Sequence, residues 1–215
     1  MRHYIFLLIF FAPSLFCMFG CKEADVYPPI IKLNGENILL LFRGEQFQDP
    51  GASGSDFDGK NKCKDISAKI IRKGDLDIQN TGQYNLTYRL QDEAGNQAEE
   101  VNRTVIVRHR TEDLLGTYNV TDSCDGNYIN YLTNIDSVLP GNKLRVFNFG
   151  NQNLDAYFSV RGSFHTEVFL ESQSIVNKTY AGSGNISKDG LEFIIRYSSY
   201  DGNASTSCTC IMRKN

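Results

Sequence analysis

Between Gly82 and Leu90 apolar and polar side chains alternate without a break. Tyr84, Leu86, Tyr88 and Leu90 take one parity, and Asn85, Thr87 and Arg89 the other. A period of two turns one side of a strand toward a core and the other toward water. A polar turn, DEAGNQA, follows, and then a run that ends in Val105, Ile106 and Val107. Upstream, Pro28 and Pro29 open an extended segment, and Asn34-Gly35 separates two apolar runs in the manner of a hairpin turn. From Thr111 onward, about eight short runs rich in Ile, Val, Tyr and Phe are each bounded by Gly, Asn, Asp or Ser. No helical period is sustained anywhere. The pattern predicts an all-β chain of two small domains, a β-sandwich over residues 28–108 and an antiparallel β-barrel over 112–215.

The amino end departs from this pattern. Arg2 precedes an unbroken apolar run, Tyr4 to Phe11, then Pro13, and Gly20 stands before Cys21. The run is short for a membrane span and holds a helix-breaking proline. A charged start, a short apolar run and a small residue before a cut point form an export signal. Here they resemble a bacterial lipoprotein signal of the looser Bacteroidetes type. That resemblance implies removal of residues 1–20, lipid (palmitate) on Cys21, a linker over 21–27, and the membrane as a partner through that lipid. The alternative is an ordinary signal peptide with Cys21 as a structural cysteine. Lys22-Glu23-Ala24-Asp25 is similar to the surface-export stretch of Bacteroidetes lipoproteins, which implies an outer-membrane anchor with the protein at the cell surface.

Taken together, PPIIKLNG, DPGASGSDFDG, NTGQYNLTYRLQDEAGNQA and RTVIV resemble the immunoglobulin-like domain of bacterial surface proteins, also found in some insecticidal crystal toxins. The resemblance implies a seven-strand sandwich without an inter-sheet disulfide, used as a spacer, adhesion or accessory binding module. It also implies a corner tyrosine at Tyr84, bonded back to the backbone. The string LLGTYNVTDSC, the later NFG and GSG, and a terminal strand bearing cysteines resemble the lipocalin-like C-terminal domains of Bacteroidetes lipoproteins.

Four cysteines remain beyond Cys21: Cys63, Cys124, Cys208 and Cys210. In an up-and-down barrel the first and last strands are neighbours, so Cys124 is expected to pair with Cys208, or with Cys210; Cys63 has no obvious partner. A metal at Cys208-Thr209-Cys210 would need wider spacing and further ligands. The acidic loop from Asp49 through Asp56 and Asp58 is a calcium candidate, with Asp92 and Asn96 from the later turn, but Asp and Gly also make ordinary turns, the preferred reading.

Catalytic chemistry finds little support. His109 and His165 read as surface residues, and no nucleophile with an orienting acid stands beside either. No nucleotide-binding motif appears, and with a formal charge of −3 and no basic patch the chain is not read as a nucleic-acid binder. Aromatic rings that stack on sugars are the more plausible chemistry. Tyr128, Tyr131, Tyr157, Phe158, Tyr197 and Tyr200 are the candidates, most of them expected in the core, and Tyr197, Tyr200 and Asp201 form the best exposed group at a strand end and turn. Asp136-Ser137-Val138 resembles the O-glycosylation sequon of Bacteroidetes exported proteins, with Ser137 as acceptor. The sequence thus points to a surface lipoprotein that binds glycan or a surface protein without a cofactor. The alternatives are an assembly subunit and a lipocalin-like carrier with an apolar chamber.

Overall fold

The computed structural model describes residues 25–57, 63–138 and 141–215. The N-terminal part is a sandwich of seven strands. One sheet holds β1 (Ile30–Leu33), β3 (Ala52–Phe57) and β4 (Cys63–Asp65), in the order β1-β3-β4. The other holds β2 (Ile38–Phe42), β5 (Ile71–Lys73), β6 (Gly82–Arg89) and β7 (Val101–Arg108), in the order β2-β7-β6-β5. The alternating side chains of β6 do what their period requires: Leu86 and Tyr88 are buried and pack with Ile31, Leu41, Val105 and Val107.

The Asn34-Gly35 turn is not a hairpin. β1 pairs antiparallel with β3, whereas β2 crosses to the other sheet and pairs parallel with β7. The turn is held instead by long-range bonds: the Asn34 amide donates to Gly51 O at 3.0 Å, and the Arg103 guanidinium donates to Asn34 O at 2.6 Å. Tyr84 is a corner tyrosine, its hydroxyl donating to Asn80 O at 2.8 Å.

A 3-10 turn, Thr111–Leu114, leads into eight strands: β8 (Gly116–Cys124), β9 (Asn127–Val138), β10 (Lys143–Val146), β11 (Ala156–Arg161), β12 (Glu167–Ile175), β13 (Lys178–Ile186), β14 (Glu192–Tyr200) and β15 (Ser205–Lys214). Each pairs antiparallel with its chain neighbour, and β15 pairs with β8 to close the barrel. In that seam Cys208 stands opposite Cys124, and the two form a disulfide. Cys210, opposite Asp122, and Cys63 are free thiols.

Inward side chains from all eight strands meet in one cluster, joined by Leu114 below and by Phe149 from the loop after β10. Phe149 packs edge-on against Phe158 and Tyr180 and is tilted against Tyr197. Gly182 and Gly184 make room for this filling. They face the buried Tyr197 and Ile195 across the β13–β14 ladder, where a Cβ would run into the β14 backbone. An eight-stranded barrel is just wide enough for side chains to fill. Among the described residues, this one is filled that way.

The two domains touch directly. The Thr81 amide donates to Lys188 O at 3.0 Å, and the His109 amide donates to Phe164 O at 3.1 Å. The His109 side chain is fully buried, its Nε2 3.1 Å from Ser187 O, and His165 Nδ1 donates to His109 O at 2.9 Å. The expectation of two surface histidines is therefore corrected for His109, which the β13–β14 turn covers. His165 lies in the turn before β12, at φ 54°, and does not begin a strand. Among the described residues no helix is long and apolar enough to cross a membrane.

Candidate functional site

The sequence places six aromatic residues of the barrel in one candidate group, and the strand parity divides them. Phe158 and Tyr197 point inward and are buried. Tyr131 is half-buried, its hydroxyl accepting from the Gly150 amide at 2.9 Å. Tyr128, Tyr157 and Tyr200 point outward, at 71%, 46% and 47% exposure.

The expected pairing of Tyr197 with Tyr200 is therefore corrected. Three residues apart on one strand, they leave opposite faces of β14. Tyr197 donates to Asp122 Oδ2 inside the barrel at 2.7 Å, while Tyr200 donates outside to Gly202 O at 2.7 Å. Asp201 is occupied by its own turn, accepting from the amides of Asn203 at 3.0 Å and Ala204 at 2.9 Å.

Tyr157 is set differently, and no local motif in the sequence marks it. β12 carries a bulge: between Leu170 and Gln173 two residues, Glu171 and Ser172, stand opposite the single Ala181 of β13. The bulge bends β12 away from β11 at Tyr157. The Gln173 side chain fills the gap, its Oε1 accepting from the Tyr157 amide at 2.9 Å and its Nε2 donating to Tyr157 O at 2.8 Å. Both main-chain groups of Tyr157 are thereby satisfied by a side-chain amide.

Beside this splice lies a cavity of about 290 Å³ on the outer face, lined by Lys143, Tyr157, Ser159, Glu171, Ser172 and Gln173. Glu171 is held by Arg161 at 2.5 Å and by the Ser159 hydroxyl at 3.2 Å. A second hollow on the outer face, over β8 and β9, is lined by Asn119, Thr121, Asn130 and Leu132 among others.

Buried polar groups gather at the disulfide end of the barrel. Asp122 is 1% exposed, and its Oδ1 has no hydrogen-bond partner. Burial raises its carboxyl above the usual range, against hydrogen bonds from Tyr197 and Tyr131 that pull the other way. Burial also pushes the Cys210 thiol up, with Asp122 adding to the shift. A thiol so placed stays protonated and unreactive.

The acidic residues of the sandwich divide, Asp49 lying apart while Asp56 and Asp92 come together. Asp49 is ion-paired with Arg103. Asp92 closes its own turn, accepting from the Asn96 amide at 2.8 Å and from Asn96 Nδ2 at 2.8 Å. Asp25, Asp56 and Asp92 bring carboxylate oxygens within 4.8 Å of one another. Burial and then the charges of Asp92 and Asp25 raise the Asp56 carboxyl. Asp58 lies outside the described residues, as does Cys21. Ser137 is half-buried on β9 opposite the inward-facing Leu144, so its hydroxyl shares the inner side of the wall.

Residues 31–107 match the family model described as "Bacterial surface protein, Ig-like domain". No curated protein sequence matches the chain. Among solved structures, the chain is similar to the lipoprotein BT2262 from Bacteroides thetaiotaomicron, at 16% identity and a TM-score of 0.35 over 86% of this chain and 100% of that one. It is also similar to a structure of CBM51-2, in complex with GlcNAc, and INT domains from Clostridium perfringens ZmpB. That likeness stands at 15% identity and a TM-score of 0.32, over 86% of this chain and 44% of that one.

Proposed function

We propose that this is a cell-surface lipoprotein, anchored through lipid on Cys21, whose sandwich holds up the barrel as a non-catalytic binding module for glycan. The match of residues 31–107 to a bacterial surface Ig-like domain supports the place. One observation carries the activity: the barrel is filled, yet its outer face displays the rings of Tyr128, Tyr157 and Tyr200. Rings left in water on a folded wall are available to stack on sugar. The buried histidine and the unreactive thiol support a non-catalytic reading, since neither faces a substrate. Retardation of the full chain in native gels cast with soluble polysaccharides tests the activity; unchanged mobility in all of them would end the glycan reading. Loss of surface protease accessibility in a Cys21→Ala strain tests the anchor.

A second reading, an assembly subunit, has its own observation. Ile38 and Leu40 are 55% and 59% exposed on β2, an outer strand of its sheet. Cross-linking in cells that joins Ile38 or Leu40 positions to another surface protein would favour it.

A further inference from the structure

Resting on the glycan reading, the geometry points to the groove beside Tyr157 as the binding site, and we infer that its ligand is a pyranose unit stacked on the Tyr157 ring. Three properties of the groove select that ligand over others.

The first is the fixed ring. Gln173 grips the main chain of Tyr157 on both sides of its Cα, at 2.9 and 2.8 Å. The strand beneath the ring is thus held although the β11–β12 ladder has parted there. A platform held this way loses little freedom when a ligand settles on it.

The second is the mixture of groups around the ring. Lys143 donates; Ser159, whose proton goes to Glu171, accepts; and Glu171 accepts, its orientation set by Arg161 and Ser159. A pyranose has one face of C–H bonds and a rim of hydroxyls that both donate and accept. The C–H face suits the ring and the rim suits the flanking groups. An apolar ligand would strip water from Lys143 and Glu171 without replacing their hydrogen bonds.

The third excludes an extended peptide. A peptide that adds to a sheet needs an edge with unpaired main-chain groups. The barrel is closed, and where β11 and β12 part the main-chain groups of Tyr157 are already taken by Gln173. The volume, about 290 Å³, is small for a drug-sized ligand and suits one or two sugar rings.

The chain contains no Trp, so Tyr157→Trp would put a single indole in the groove while keeping a stacking face. Full-length Tyr157→Trp is titrated with neutral glucan, mannan, galactan and xylan oligosaccharides while its emission is followed. In parallel, calorimetry compares wild type with Tyr157→Ala and with Ile71→Ala, which removes an exposed apolar side chain on β5 of the sandwich. Circular dichroism confirms that each variant is folded. The expected result is an emission shift with at least one oligosaccharide class, loss of about tenfold or more in affinity for Tyr157→Ala, and unchanged affinity for Ile71→Ala. Wild-type binding that survives Tyr157→Ala would overturn the groove and leave the glycan reading standing. Failure of the wild type to bind any of the oligosaccharides would overturn both.

Discussion

The guanidinium of Arg103 is completely buried and is ion-paired with Asp49, 54 residues earlier in the chain. The pair is part of a hub. Arg103 also donates to Tyr88 Oη at 3.1 Å and to the carbonyls of Asn34, Gly51 and Glu36 at 2.6, 3.1 and 3.2 Å. Asp49 accepts from Tyr88 Oη at 2.7 Å and from the Gly51 amide at 2.9 Å. Burial opposes its charge, but those hydrogen bonds and Arg103 outweigh it and hold the carboxyl below the usual range. One side chain thus ties the Asn34-Gly35 crossover, the Asp49-Pro50-Gly51 turn and strands β6 and β7 together.

Removing one partner of a buried pair strands the other charge. Arg103→Ala is expected to destabilise the sandwich by about 3–5 kcal/mol, read by urea denaturation. The double variant Arg103→Met with Asp49→Asn should cost less than Arg103→Met alone; a greater loss would refute the pairing.

The disulfide closes a stretch with a sequence separation of 84. Cys208→Ser is expected to cost the barrel about 2–4 kcal/mol. Native protein treated with iodoacetamide should be alkylated at the exposed Cys63 and spared at the buried Cys210, read by peptide mass spectrometry. Labelling of Cys210 before unfolding would contradict the packing around it.

His109 makes the interdomain contact sensitive to acid. Burial holds its pKa below the ordinary histidine value, with Arg43 and His165 adding to the shift, while the bond to Ser187 O and the charge of Asp113 oppose it. A base whose folded value is depressed contributes its stability in full above the unfolded value, and loses it as pH falls through the folded one. The melting temperature should therefore drop from pH 7 to pH 5, and His109→Gln, which keeps a donor for Ser187, should flatten that slope. Equal slopes would remove His109 from the cause.

Asp122 acts in the other direction. Its folded value is raised, so its contribution is complete below the unfolded value of 3.8 and is lost as pH rises through the folded one. Asp122→Asn keeps an acceptor for Tyr197 and cannot ionise. It should raise the melting temperature of the barrel at pH 8 by a few degrees and leave it unchanged at pH 3, followed by calorimetry.

Much of this was legible in the sequence because it depends on period and turn chemistry. The alternation at Tyr84 to Leu90 announced its strand, and the two-ended placement of Cys124 and Cys208 announced the seam. Contacts between distant segments were not legible. Asn34-Gly35 has the chemistry of a hairpin, yet Arg103, far along the chain, makes it a crossover. His109 sits among arginines in the sequence, yet the turn around Ser187 covers it. Tyr197 and Tyr200 share a strand, and the parity that separates them follows from register. Tyr157 stands among six candidate rings in the sequence, and only the bulge at Glu171 and Ser172 singles it out, since Gln173 is unremarkable until its amide meets another strand.

The closure of β15 onto β8 has a consequence for copies standing close together. A sheet edge is a template on which a neighbouring chain can crystallise its own strand. The barrel presents no such template, and the short outer strands β4 and β5 of the sandwich carry Lys64, Arg72 and Lys73. Barrels packed side by side at high density would meet through side chains alone, and each could keep its outer wall free for a visitor.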